Sequence, residues 1–260
     1  MPTALIVDDE PEANHLLSLL VQLRGYQTES AFTGSEALEK VRQGHPDIVF
    51  LDLMLPDING YEVCKALKIR KTTSLIPVVM VTARIAAENR HQSFRVGADD
   101  YIAKPYTPDQ IYQAMEDADA WWRNLERPDA SGEIRLETRG DAQPLRQIAQ
   151  LRSLLVGRTT LDSETACAFG SALKELWASA DAFGRCRKVS LVAMLAYRLL
   201  ADRVTLTLCD TSGWIEQGLL HEEGWREVIA PRFDEVIPDE TGRQLTLRKR
   251  FPAGGPDPAD

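Results

Sequence analysis

The chain has 260 residues, a net charge of −9, 44% hydrophobic and 27% charged residues. That length accommodates one large or two modest domains, each with its own core. The acid excess excludes a sequence-independent grip on nucleic acid, which requires surplus lysine and arginine. The excess is uneven, with 12 Lys+Arg against 18 Asp+Glu up to residue 125 and 18 against 21 from residue 126. Acid concentrated in the first half fits a cation site there. Cys64, Cys167, Cys186 and Cys209 form no C-x-x-C or Cys/His cluster. Zinc-ligand spacing is therefore absent, and reduced, buried thiols are expected. With no signal-peptide pattern, and no apolar run near the roughly 18 residues of a spanning helix, a cytoplasmic protein without a membrane partner is expected.

Thr3-Ala4-Leu5-Ile6-Val7 is an apolar strand that runs into Asp8, Asp9 and Glu10. Pro11 opens a helix at its favoured first-turn position, Leu16, Leu17, Leu20 and Leu23 form its apolar stripe, and Gly25 ends it. A second strand over 26–31 and a helix from Gly34 to about Gly44 come after it. Ile48-Val49-Phe50-Leu51-Asp52-Leu53 then reads as a strand buried on both faces, broken by one carboxylate. A helix over 60–69, a strand over 76–81 ending at Thr82, and a helix to Gly97 come next. A strand over 99–103 ends at Lys104-Pro105, and a last helix over 107–123 closes with Trp121-Trp122, which also offer a packing surface to the second half of the chain.

Five alternations of strand and helix predict a doubly wound (βα)5 domain over 1–123 with a five-stranded parallel sheet. Right-handed crossovers place every strand end on one rim, where ligands of such sheets bind. Asp8, Asp9, Asp52, Thr82 and Lys104 all fall on that rim. Clustered carboxylates repel one another unless a hard cation joins them, and oxygen-only ligands with room for waters suit Mg²⁺. A phosphoryl group on a carboxylate carries three oxygens to neutralise: the metal takes one, Lys104 a second, and the Thr82 hydroxyl a third. The chemistry expected is phosphoryl transfer with Asp52 as nucleophile.

Asp8-Asp9, Asp52, Thr82 and Lys104-Pro105, with Thr82 30 and Lys104 52 residues beyond Asp52, resemble the receiver domain of bacterial two-component response regulators. Leu55-Pro56-Asp57-Ile58-Asn59-Gly60 and Gly97-Ala98-Asp99-Asp100-Tyr101 are also similar to that family's pattern. The resemblance implies that Asp9, Asp52 and the Met54 backbone carbonyl bind Mg²⁺, with Asp8 helping through water. It implies that a sensor histidine kinase phosphorylates Asp52, and that Thr82 and Tyr101 form the switch pair.

In the second half, residues 124–141, with Pro128, Gly132 and Gly140 among alternating charges, read as a linker. An α+β sandwich is expected over 142–251: a helix carrying Leu145, Ile148, Leu151, Leu154 and Leu155, then one from an N-cap at Ser163 to about Ala182. Strands over about 189–195 and 204–208 come next, then a helix from Glu222 to Phe233 broken by Pro231, then a strand over 243–251. The Pro/Gly/Asp-rich stretch 252–260 is expected to be disordered. Residues 172–184, 206–210 and 242–248 resemble, more faintly, the ATP-binding domain of histidine kinases and anti-sigma-factor serine kinases. Ser179 stands where that family has its metal-binding Asn, Phe183 where it has a following His, and Trp214 crowds the turn after Asp210. Glu175, Ser179 and Asp210 are then residues of a vestigial nucleotide site.

These residues predict a response regulator whose output domain binds a protein partner, does not bind DNA, and is not an enzyme beyond receiver phosphotransfer. Phosphorylation would change a contact with that domain or with a second protomer. A phosphorylation-gated serine kinase or ATPase using Glu175 and Asp210 is the alternative, and a simple phosphate sink a third.

Overall fold

A computed structural model describes residues 1–84, 87–127, 130–138, 143–200 and 202–252. The chain divides into two units, Met1–Glu126 and Arg127–Asp260. In the first, β1 (Thr3–Val7), β2 (Gln27–Ala31), β3 (Ile48–Leu51), β4 (Val78–Thr82) and β5 (Asp100–Ala103) form a parallel sheet in the order β2-β1-β3-β4-β5. The helices between and after them are α1 (Pro11–Gln22), α2 (Gly34–Gly44), α3 (Gly60–Lys68), α4 (Ala87–Val96) and α5 (Pro108–Leu125).

Strand alternation sends Leu5, Val7, Val49, Leu51, Val78 and Met80 to a core shared with α2 and α3. Ala4, Ile6, Ile48, Phe50, Val79 and Val81 go to a second core shared with α1 and α5. Both faces are covered, so these strands read as continuous apolar runs, and each buried Leu, Ile or Val contributes about 1.5–3 kcal/mol.

Helix starts reflect local chemistry. Thr33 Oγ1 accepts from Glu36 N at 3.1 Å, Asn59 Oδ1 from Tyr61 N at 2.9 Å, and Gln110 Oε1 from Thr107 N at 2.9 Å. The apolar stripe of α1 is rotated from expectation. Asn14, Leu17, Ser18 and Val21 are buried, while Leu16 and Leu23 are 54% and 76% exposed. Asn14 belongs on the inner face because its amide donates to the Ile6, Asp8 and Ala31 carbonyls. The Trp121 and Trp122 indole N–H groups donate to Leu75 O and Asp47 O, so both indoles are bonded within their own unit.

The second unit holds β6 (Ala130–Glu137), α6 (Gln143–Arg158), α7 (Ser163–Arg187), β7 (Leu191–Leu199), β8 (Arg203–Asp210), α8 (Trp214–Gln217), β9 (Glu235–Pro238) and β10 (Gln244–Arg250). Its sheet is antiparallel, in the order β6-β7-β8-β10-β9. Two helices and an antiparallel sheet make this unit α+β, as expected. The linker over 124–141 is corrected. Residues 130–137 are a strand paired along β7, because Ile134 and Leu136 are buried while Glu133 and Arg135, alternating with them, face outward.

Helix α7 is capped by Asp162 rather than Ser163. The Asp162 carboxylate accepts from Thr165 N and Thr165 Oγ1, both at 2.7 Å. The helix continues past Ala182 to Arg187 and stops where Lys188 turns left-handed, at φ 59°. The helical stretch expected over Glu222–Phe233 is present as a π-helix over Trp225–Ile229 followed by a 3-10 turn over Ala230–Arg232, and the change of helix type falls at Pro231, which donates no backbone hydrogen bond. Strand β9 was not anticipated. Cys64 is buried as expected, but Cys186 and Cys209 are exposed. Residues 253–260 of the tail lie outside the described residues.

Candidate functional site

Sheet register builds the first unit's site. Leu51 pairs with Val7, and Asp52 N donates to Val7 O at 2.9 Å, so Asp52 emerges beside Asp8. Lys104 N donates to Thr82 O at 2.8 Å, bringing the tips of β4 and β5 level. The side chains then converge. Lys104 Nζ lies 2.6 Å from Asp8 Oδ2 and 2.7 Å from Asp52 Oδ2. Oxygen atoms of Asp8, Asp9 and Asp52 all lie within 4.8 Å of one another. Asp8 and Asp52 are 3% and 6% exposed, and Asp9 faces solvent.

The electrostatics result from that burial. Burial pushes the Asp8 carboxyl above the usual carboxylate range, against the opposing hydrogen bond from Lys104. Burial disfavours the Lys104 ammonium, but hydrogen bonds to Asp52 and Asp8 outweigh it and hold its pKa above that of ordinary lysine. Three carboxylate oxygens within 4.8 Å of one another suit a small divalent cation.

The other expected residues sit nearby in the fold. Thr82 is fully buried, and its hydroxyl accepts from Arg84 N at 3.4 Å. Met54 reaches Asp52 through its N–H, which donates to Asp52 Oδ1 at 3.2 Å. The Tyr101 ring is half-buried against the core. Its hydroxyl is buried and has no hydrogen-bond partner among the described residues.

Three supporting residues escaped the sequence reasoning. A Cβ on Gly60 would lie 2.2 Å from the Asp52 carbonyl oxygen, so only glycine lets α3 start against Asp52. Asn14 fixes the backbone at Asp8 by donating to carbonyls on either side of it. Asp57 accepts from Gly34 N at 2.8 Å and Ser35 N at 2.9 Å, tying this loop to the start of α2. The Leu-Pro-Asp-Ile-Asn-Gly run was a visible signal for Gly60 and Asp57. For Asn14 the only signal was an amide among leucines.

Residues 4–116 match the family described as the response regulator receiver domain. They are a receiver domain. Among curated relatives, this chain is 38% identical over 111 residues to the DNA-binding dual master transcriptional regulator RpaA of Synechocystis, covering 43% of this chain and 46% of RpaA. It is 42% identical over 110 residues to the transcriptional regulatory protein BaeR of Escherichia coli, covering 42% and 45% of the two chains. Among solved structures, a putative response regulator from Chloroflexus aurantiacus is similar, with 34% identity, a TM-score of 0.45, and coverage of 46% of this chain and 99% of that one. The chain thus spans less than half the length of these two curated relatives, and the family match ends within the first unit.

Outside the receiver, two of the three residues expected of a nucleotide site, Ser179 and Asp210, are committed to local structure. The Asp210 carboxylate accepts from the backbone N–H groups of Ser212 (2.7 Å), Gly213 (3.0 Å) and Ile215 (2.8 Å), which ties down the turn leading into α8. Ser179 Oγ accepts from the Trp214 indole at 3.0 Å and donates to Glu222 Oε1 at 2.8 Å. Trp214 is fully buried. Glu175 lies one turn before Ser179 on α7, exposed to solvent.

Proposed function

We propose that this protein is a two-component response regulator in which Asp52 accepts a phosphoryl group and the second unit is a non-catalytic output that binds a protein partner. The observation that carries this is the Lys104 ammonium bridging Asp8 and Asp52 beside the exposed Asp9. That bridge places a fixed cation where the oxygens of an incoming phosphoryl group need one. In the transfer, an Asp52 carboxylate oxygen attacks the phosphorus of a phosphohistidine on a sensor histidine kinase. A P–O bond forms as the P–N bond breaks, and the released imidazole takes a proton from water. Attack of water on that phosphorus later returns the carboxylate and inorganic phosphate.

Asp9, Asp52 and the Met54 carbonyl would hold Mg²⁺, with Asp8 acting through water. When bound, the cation supplies charge neutralisation to the phosphoryl oxygens. The Thr82 hydroxyl would turn to the phosphoryl group, and Tyr101, whose hydroxyl lacks a partner among the described residues, would respond, shifting the receiver between two conformations. The exposed Cys186 and Cys209 suit a reducing compartment, and the cytoplasm is the proposed location. No helix among the described residues is long and apolar enough to cross a membrane.

The binding of Ser179 and Asp210 by their own fold favours a non-catalytic output over a serine kinase. The test is incubation of the full chain with Mg²⁺ and acetyl phosphate, read by intact mass. One phosphate is expected on the native protein and none on Asp52→Asn, and incorporation by the variant would overturn the assignment.

A further inference from the structure

Helices α6 and α7 contact the sheet of the second unit, and Val204, Leu206, Leu208, Leu245 and Leu247 are buried within it. Strand alternation turns Arg203, Thr205 and Thr207 of β8, and Arg248 and Arg250 of β10, to the opposite face. These arginines are solvent-accessible, with side chains 46%, 44% and 70% exposed for Arg203, Arg248 and Arg250. With Arg198 they surround a basin of about 490 Å³ lined also by Ala196 and the two threonines. One carboxylate lines it. Glu235 is bonded by Arg248 at 3.0 Å and by Arg250 at 2.5 Å.

Four guanidiniums against Glu235, and Asp202 paired with Arg203 at 3.5 Å, leave the basin cationic in a chain whose net charge is −9. Guanidinium forks match carboxylates in two-point contacts, and threonine hydroxyls on the floor add donors. An extended nucleic acid would reach beyond the basin into the field of the acidic chain, whereas a short acidic segment meets only the local charge, since screening acts over about 8 Å. Ile237 lies on the same face, opposite Thr246 and 44% exposed, as an apolar contact beside the charges.

We infer that this basin docks an acidic segment of the partner protein, a surface assignment that rests on reading the second unit as a protein-binding output. The test titrates the full chain, with and without beryllofluoride as a phosphate mimic, against a labelled poly-glutamate peptide by fluorescence anisotropy. Saturable binding that weakens with salt is expected, falling about tenfold or more in R203S/R248S and unchanged in R226S/R232S. Thermal melts check that each variant folds. Where the serine pair fails to fold, R203K/R248K keeps the charge, loses the fork and is expected to bind severalfold more weakly.

Absence of binding, equal binding by R203S/R248S, or tighter binding of duplex DNA would overturn the inference. So would a dimer in sedimentation that R203S/R248S abolishes, because a second copy would then fill the basin. Partner capture by the full chain with beryllofluoride separates the two levels. A partner retained by R203S/R248S removes the basin and leaves the output role standing, while no partner in any state removes the output role itself.

Discussion

The two units place polar groups at strand ends in opposite circumstances. In the receiver, Asp8, Asp52 and Lys104 meet one another across three strand tips, and Asp9 remains exposed beside them. In the second unit, Asp210 also ends a strand, yet its oxygens accept from three backbone N–H groups of the next turn. A carboxylate satisfied by its own loop is a local tie, while carboxylates facing each other around an ammonium hold unsatisfied capacity for a ligand. Sequence shows an Asp at the end of a strand in both cases. Only the hydrogen-bond partners tell them apart.

The comparison breaks most easily at Lys104. Lys104→Met removes the fixed cation and should slow phosphorylation of Asp52 by acetyl phosphate about 10²- to 10³-fold, the scale for losing one preorganised charge donor. A rate within a few-fold of native would mean the bridge is structural, like the Asp210 tie.

Lys68 sharpens the same contrast within the receiver. It is fully buried and donates to Ser74 O at 3.1 Å, Ile76 O at 2.7 Å and Asp99 at 2.6 Å, so its donors are saturated. Lys68→Met leaves Asp99 buried without its cation and should destabilise the receiver by about 3–5 kcal/mol in urea unfolding. Phosphorylation of the fraction still folded should keep its native rate, which separates a staple from a site.

The smallest expected effect is in the second unit. Trp214→Phe deletes the indole N–H but leaves Ser179 bonded to Glu222, and should lower stability by about 1–2 kcal/mol. At constant Mg²⁺, added ATP should shift the melting temperature of neither protein, since a ligand stabilises only a state it binds. An upward shift in the native chain would revive the kinase alternative.

Much of the receiver was legible because its signals are local or periodic. Apolar runs on β1, β3 and β4, turn residues between elements, and a chemically distinct residue at the end of four of the five strands suffice to place the tips on one rim. Asn14 and the rotated face of α1 were not legible, because a leucine-rich helix offers several stripes and only contact with β1 selects one. In the second unit, β6 carried its alternation openly in Glu133-Ile134-Arg135-Leu136, but flanking glycine and proline outweighed it. A strand becomes recognisable when a partner strand satisfies its backbone, and that partner, β7, begins more than fifty residues later.

The amino-acid sequence alone determined the parallel alternation, the set of rim residues and the chemistry they share, because these depend on residue type and spacing along one chain. Tertiary structure decided which polar groups face a ligand and which are satisfied by their own loops, because hydrogen-bond partners are assigned by register and packing. It also decided that arginines scattered along β7, β8 and β10 gather around one basin, since strand alternation puts side chains from distant positions on a common face.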